Sequence, residues 1–308
     1  MDEIEDIQSD PDAYFLATFN DGSTFRNLID YLKGTNDEAY FIFTEKTITC
    51  KQSNQAQFVL NDVTINVSDL PEYEFRSNSG KIVVGIVLER LKERMKIGKK
   101  DGIRIYKKAR NDFIFVQDLT TSTTDNCGVD YFLPINTNEM QRYEVPTYLR
   151  DENMPNCVVV ATDLTRDFSQ MTAFKNENVI FRGYRGGMTL SLDGQGNGGK
   201  FKNYGQVSEM LIPTLNLPTV STTDLKNSTS TSSVSNSSVP KINIKNPDEI
   251  SSIVVPMKLV KLFIKLRNLS DTSTIRFIFE EGKPMEMICK IGFFGVMRVY
   301  VKTIAGNN

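Results

Sequence analysis

Histidine is absent from all 308 residues of the chain. It is the commonest general base and the commonest metal ligand, so Ser-His-Asp and Cys-His nucleophile activation and the HExxH metal site are excluded outright. Cysteine is sparse: Cys50, Cys127, Cys157 and Cys289 are scattered without a CxxC pair. That spacing fits isolated reduced thiols rather than a disulfide framework or a zinc knuckle, and no structural metal is expected. No stretch approaches the run of about 20 apolar residues that spans a bilayer. The opening MDEIEDIQSD is acidic where a secretory signal is basic and then apolar, so the expected setting is intracellular, with no membrane partner. Asp and Glu total 38, yet they form no compact signature such as DxD in a strand–loop context. Neither an enzyme nor a cofactor is expected.

With 40% hydrophobic and 24% charged side chains, the chain can bury the core of one large domain or two ordinary ones. Gly194 to Lys200 reads GQGNGGK, the spacing of a phosphate-cradling loop. Phe201 follows where magnesium ligation needs Ser or Thr, and FKNYGQ offers no helix whose amides would face a phosphate. A glycine-rich hairpin after MTLSL is the better reading. The sequons at Asn227 and Asn236 are discounted, because a chain without a signal peptide does not meet the glycosylation machinery.

Two irregular segments divide the chain. Residues from about Thr120 to Asn156 lack sustained periodicity and read as a long connector. Asn216 to Pro240 is dominated by Ser, Thr and Asn, which predicts a disordered surface loop, centred on about 219–240. Outside these breaks an order of helix, strands, helix, strands occurs twice. STFRNLIDYLKG and TDLTRDFSQMTAFK predict the first helix of each half, followed by strand pairs AYFIF–TITC and NVIFRG–MTLSL. VGIVLERLKERMKIGK and MKLVKLFIKLRNL predict the second helices, followed by GIRIYKK–DFIFVQ and TIRFIFE–MEMICKI. Strands outnumber helices, so the fold class is α+β with large antiparallel sheets.

MKLVKLFIKLRNL, from Met257 to Leu269, carries four basic side chains and no acidic one in a chain of net charge -2. On a helical wheel Lys258, Lys261 and Lys265 fall within a stripe roughly 60° wide. Leu259, Leu262, Phe263 and Leu266 take the other side, so the helix packs inward and shows lysines outward. In the first half Leu88, Leu91 and Met95 face inward, and Arg90, Lys92, Arg94, Lys96, Lys99 and Lys100 outnumber Glu89 and Glu93. A charge run by itself is a solvated face. Recurrence on equivalent helices points instead to a common surface for a polyanion.

At these residues the chain resembles the proliferating cell nuclear antigen (PCNA) family of DNA sliding clamps. MKLVKLFIKLRNLSDTSTIRFIFEEGKPMEMICKIGFFGVMRVYVKTI is similar to the family's closing block. CVVVATDLTRDFSQMTAFKNENVIFRGYRGGMTLSLDGQGNGGKFK resembles the opening of its second domain, and TFRNLIDYLKGTNDEAYFIFTEKTITCKQSNQAQFVLNDV its first helix and hairpin. The order of the three blocks along the chain carries the resemblance. The Ser/Thr loop, the ending KTIAGNN in place of an acidic tail, and a longer connector of mixed charge depart from the family. They suggest a viral or fast-evolving lineage.

The resemblance implies a two-domain clamp fold, with sheets outside and four short helices inside, closing into a ring. Its division here is an N-terminal domain over 1–128, a connector over 129–155 and a C-terminal domain over 156–308. It implies a homotrimer around double-stranded DNA, bound without sequence preference, that tethers a DNA polymerase and other clamp-binding proteins in the nucleus or at a viral replication site. The DNA-facing residues would be Lys33, Arg90, Lys96, Arg166, Lys258, Lys261 and Lys265. A partner-peptide pocket would use Phe58, Pro284 and Tyr300, with Tyr131 and Leu133 from the connector. Subunits would join by pairing Phe113–Leu119, including Ile114 and Phe115, with Gly199–Gly205 of the next copy, including Phe201 and Tyr204. The alternative is a clamp-fold polymerase accessory or transcription factor that does not close a ring.

Overall fold

The computed structural model describes residues 12–95, 101–119, 130–135, 143–149, 154–173, 178–193, 202–205, 248–269 and 274–303. GQGNGGK, both sequons, the Ser/Thr-rich segment, Lys96 and Phe201 lie outside these residues. The first half runs β1 (Tyr14–Phe19), α1 (Gly22–Lys33), β2 (Glu38–Phe43), β3 (Thr47–Ser53), β4 (Val59–Asn66), β5 (Glu72–Arg76), β6 (Ile82–Val87), α2 (Leu88–Arg94), β7 (Gly102–Lys107), β8 (Phe113–Leu119) and β9 (Asp130–Pro134). The second half runs β10 (Cys157–Val160), α3 (Ala161–Met171), β11 (Asn178–Tyr184), β12 (Gly187–Asp193), β13 (Lys202–Gly205), β14 (Glu249–Pro256), α4 (Met257–Phe263), β15 (Thr274–Ile278), β16 (Met285–Ile291) and β17 (Gly295–Val301). Strand, helix, strands, helix, strands thus occurs twice.

Every strand pairing among the described residues is antiparallel, in three sheets. One sheet orders β5-β1-β7-β8-β9 and one orders β13-β12-β11-β14. The third, β10-β15-β16-β17-β4-β3-β2-β6, takes four strands from each half, joined where β17 pairs with β4 from Gly295↔Ile65 to Val301↔Val59. Alternation shows why these segments are strands: along β4, Val59, Asn61, Val63 and Ile65 are buried and the residues between them are not. One face packs on the core and the other stays partly open.

The helices follow from their apolar stripes. In α1, Phe25, Leu28, Ile29 and Leu32 recur at helical spacing and are buried, each removing enough apolar surface from water to stabilise the fold by about 1.5–3 kcal/mol. Asp21 caps the helix: its carboxylate accepts from the Thr24 backbone N–H at 3.0 Å, the Thr24 hydroxyl at 2.6 Å and the Ser23 hydroxyl at 2.8 Å. Burial alone would raise the Asp21 pKa, but these three donors hold it below the ordinary value. The four helices form one layer. α1 lies beside α2 and beside the 3-10 turn Ile264–Leu269 that continues α4, and that turn and α4 both lie beside α3.

Four expectations are corrected. VGIV, read as the start of a helix, belongs to strand β6. IVVGIV is rich in β-branched residues and pairs with β2 along its whole length, and a short apolar run has no periodicity to tell helix from strand. The helix that remains is α2, whose Leu88 and Leu91, with Met95 after it, are fully buried. The segment read as an irregular connector contains β9, and Phe113–Leu119, read as an open edge, is interior, since β8 pairs with β7 on one side and β9 on the other. Ile114 is accordingly buried in the core, and Leu133, expected on the connector, is its partner in β9. The second helix of the second half is α-helical only to Phe263 and then tightens into the 3-10 turn.

Candidate functional site

The helix layer presents the charges that its buried stripes leave over. Together α1 to α4 and the turn Ile264–Leu269 carry ten basic and five acidic side chains. That excess of five sits in a chain of net charge -2, so the rest carries an acidic excess of seven. The described residues outside this layer carry 20 acidic and 16 basic side chains, so among the described residues charge is segregated by layer, which composition alone cannot reveal.

Lys258 and Lys261 are exposed one turn apart on α4, and Arg90 is exposed on α2. None of these three forms an ion pair with another described residue. Lys265 and Lys33, from the same expected set, are held differently. Lys265 Nζ lies 2.7 Å from Asp30 Oδ2 and 3.1 Å from the Asp30 carbonyl oxygen, and Lys92 pairs with the other Asp30 oxygen. Lys33 pairs with Glu89. Asp30 thereby ties α1 to α2 and to the turn after α4, and Asn27 Nδ2 adds a 2.9 Å hydrogen bond to the Asn268 carbonyl. Burial would raise the Asp30 pKa; the two ammonium groups outweigh it and hold the carboxyl below its ordinary value. On α3, Arg166 faces Asp163 at 3.2 Å and Asp167 at 3.7 Å. Arg26 on α1 and Arg267 on the turn after α4 likewise form no ion pair with a described residue, so the basic side chains without one run across the layer from α4 to α1 and α2. Ammonium groups without neighbouring carboxylates are suited to phosphate oxygens and read no base.

A second constellation lies on the opposite face of the eight-stranded sheet. Met285, Val301 and Val59 are register partners, so Pro284 and Phe58 flank the same end of β17. The Lys302 N–H donates to the Phe58 carbonyl at 2.9 Å, and Tyr300 lies one residue inward. The fold thus brings together Phe58, Pro284 and Tyr300, which are far apart in sequence. Tyr300 is buried, and burial, with the Glu286 and Asp62 carboxylates, pushes its phenol pKa up. Residues 143–149 cross this end. The Tyr148 hydroxyl donates to the Pro284 carbonyl at 2.8 Å, and its ring stacks on Tyr300 with centroids 6.0 Å apart. Tyr148 went unnoticed in the sequence, because one tyrosine in an irregular segment carries no pattern. Tyr131 sits in β9 opposite Val116, and Leu133 is core, so the connector contribution comes from Tyr148 instead.

Two sheet edges complete the picture. β9 ends the five-stranded sheet and β13 ends the four-stranded one. The Tyr204 side chain of β13 turns back onto α3, where its hydroxyl donates to the Asp167 carboxylate, and Lys202 lies 3.9 Å from that carboxylate. β13 is fastened to the helix layer while its outer backbone edge is unpaired among the described residues.

No family model matches the chain, and no curated protein matches it. Among solved structures it is similar to the proliferating cellular nuclear antigen of Entamoeba histolytica, with a TM-score of 0.67 and 15% identity over 94% of this chain and 99% of that one. It is similar as well to a chain of the PCNA2–PCNA3 complex of Sulfolobus tokodaii, with a TM-score of 0.63 and 15% identity over 93% and 98%. The fold is that of the PCNA clamps.

Proposed function

We propose that the protein is a sliding clamp: a ring of three copies that encircles duplex DNA and tethers a DNA polymerase as a processivity factor, without catalysis of its own. The observation that carries this reading is the segregation of charge, ten basic against five acidic side chains on the helix layer in a chain that is acidic elsewhere. A ring with this layer inward holds DNA by topology. Its lysines and arginines need only screen phosphates, and weak contacts that read no sequence permit sliding. Its acidic remainder disfavours adventitious DNA contact on the outside.

Closure by strand pairing follows from the two edges. β9 of one copy joining β13 of the next would remove both open edges at once, a head-to-tail contact that closes after a fixed number of copies. Phe58, Pro284 and Tyr300, under the connector, form the surface where a polymerase peptide would dock. The place of work is then wherever the duplex is copied, the nucleus or a viral replication site.

The experiment is a salt titration of binding to a blunt duplex by fluorescence anisotropy. Replacing both Lys258 and Lys261 with Ala should weaken binding at low salt and flatten the plot of log affinity against log salt, by about 0.9 for each phosphate that is no longer neutralised. The melting temperature should hardly move, since exposed lysines contribute little to stability. An unchanged slope would reduce these lysines to a solvated face and remove the principal support for the clamp reading.

A further inference from the structure

Residues 1–11 read MDEIEDIQSDP, with five acidic side chains and no basic one. The clamp reading leaves this run unused, and a run of like charge commonly serves in interactions. Its point of entry is the face of the five-stranded sheet that is turned away from the core. Asp12 Oδ1 lies 3.4 Å from Arg110 Nε, and the Lys107 ammonium donates to the Ala13 carbonyl at 3.0 Å. β1 then begins at Tyr14, opposite Arg76 of β5. The acidic run therefore arrives where Arg76, Lys107, Lys108 and Arg110 gather, from β5, the end of β7 and the turn that follows it. Glu74, exposed on β5, and Asp112, in the turn before β8, temper this charge without cancelling it. Arg76 is exposed and forms no ion pair with another described residue.

Beside that entry the sheet face is aromatic. Ile105, Ile114 and Val116 are buried, so Tyr106, Phe113 and Phe115, which alternate with them, turn the other way. Tyr106 and Phe115 are register partners whose rings stack 5.0 Å apart, and Leu16 of β1 extends the row. Phe113 is 40% exposed. The Lys108 ammonium lies 4.8 Å from the Phe115 centroid and 5.6 Å from that of Tyr106. An apolar row rimmed by cations is the complement of a segment that interleaves isoleucine with carboxylates. From β1 to β8 is two strand spacings, about 10 Å. An extended chain covers about 3.3 Å per residue, so residues 1–11 can cross the row several times over.

We infer that residues 1–11 occupy this face, with Ile4 and Ile7 on the row of Leu16, Tyr106 and Phe115 and the carboxylates against Arg76, Lys108 and Arg110. The inference goes beyond the clamp reading and holds for a single copy, so it does not depend on ring closure. It also gives the acidic run a task. Cations beside stackable rings on a sheet are what hold single-stranded nucleic acid, and an acidic segment seated there closes the face to it.

The test uses residues 1–11 as a peptide with fluorescein at its carboxyl end, titrated by fluorescence anisotropy at low and physiological salt. A second peptide has Ile4 and Ile7 replaced by Ser, which separates a built site from general attraction between charges. The proteins are the full-length chain, the chain lacking residues 1–11, and the deleted chain with Lys108→Glu. A full-length chain with Glu3→Gln, Glu5→Gln and Asp6→Asn keeps every residue in place, in case the deletion disturbs folding. A labelled oligothymidylate strand is titrated in parallel.

The deleted chain should bind the peptide, with an affinity that falls as salt rises. The full-length chain should bind it about tenfold more weakly, because its own segment competes at an effective concentration of about 1 mM. The neutralised full-length chain should behave like the deleted one. Lys108→Glu should weaken the peptide about tenfold by placing like charges together, and the serine peptide should lose about as much through its missing apolar contact. The oligothymidylate should bind the deleted chain several-fold more tightly than the full-length chain. Absence of peptide binding by both the deleted and the neutralised chain, equal binding by the full-length and deleted chains, or indifference to Lys108→Glu or to the serine replacements would overturn the inference. Tighter binding of the oligothymidylate without any binding of the peptide would make the face a nucleic-acid surface and overturn it as well.

Discussion

Replacing Asp30 with Asn tests the structure of the helix layer and its electrostatics together. The Asp30 carboxylate takes Lys265 at 2.7 Å on one oxygen and Lys92 on the other. About a third of each side chain is open to water, 29% for Asp30, 32% for Lys92 and 38% for Lys265. Each pair is therefore screened and contributes nearer 0.5–1 kcal/mol, roughly the surface value, than the several kcal/mol of a buried pair. Two pairs on one carboxylate give a loss of about 1–2 kcal/mol, or a fall of about 2–6 °C in melting temperature. The Asp30 pKa lies below its ordinary value of 3.8, so its stabilisation is fully present above that pH and is lost as pH falls through the lower, folded value. Scanning fluorimetry should thus find the gap between wild type and Asp30→Asn wider at pH 7 than at pH 3, which lies below the ordinary value of 3.8. The same change frees two ammonium groups, so low-salt affinity for duplex DNA should rise by a few-fold while stability falls. A gap of equal size at both pH values, or no gap, would refute the ionic link between α1, α2 and the turn after α4.

Two further outcomes follow from packing and from the sheet edges. A Cβ at Gly183, beside the irregularity in β11, would lie 2.0 Å from Cγ of the buried Phe279. Gly183→Ala should therefore cost about 1–3 kcal/mol, read as a lower denaturant midpoint, and an unchanged midpoint would show that the ring has room to move. In β13, the N–H groups of consecutive residues Asn203 and Tyr204 point to opposite edges. One of the single prolines at these positions should abolish ring assembly by removing an outward donor, and full assembly by both variants would exclude β13 as the joining edge.

Much of the fold was legible because it rests on patterns of period 3.6 and 2. The stripes of Phe25, Leu28, Ile29 and Leu32 in α1, and of Leu259, Leu262, Phe263 and Leu266 at the start of MKLVKLFIKLRNL, declare both a helix and its buried side. VGIV was misread because a short, largely apolar run has no period. DYFLP was missed because five residues between turn-rich flanks give no signal above a loop. That second miss displaced the sheet edge by one strand. The site divided along similar lines. The positive face was visible from local charge, but which lysines are free was not, because Lys265 meets Asp30 across 235 positions and Lys33 meets Glu89 from another helix. Tyr300 and Pro284 were singled out through the resemblance of a long block, and the fold brings them to the same end of β17. Tyr148 could be found only once the connector lay on the sheet.

The central claim is that the two free edges, β9 and β13, close identical copies into a ring with the basic helix layer inside. Sedimentation equilibrium of the full chain at micromolar concentration and physiological salt measures this most directly. The account predicts a single species of three times the 34.8 kDa chain mass, stable on dilution through the micromolar range. A mass of 34.8 kDa that persists to high micromolar concentration would contradict it, leaving a clamp fold that does not encircle DNA.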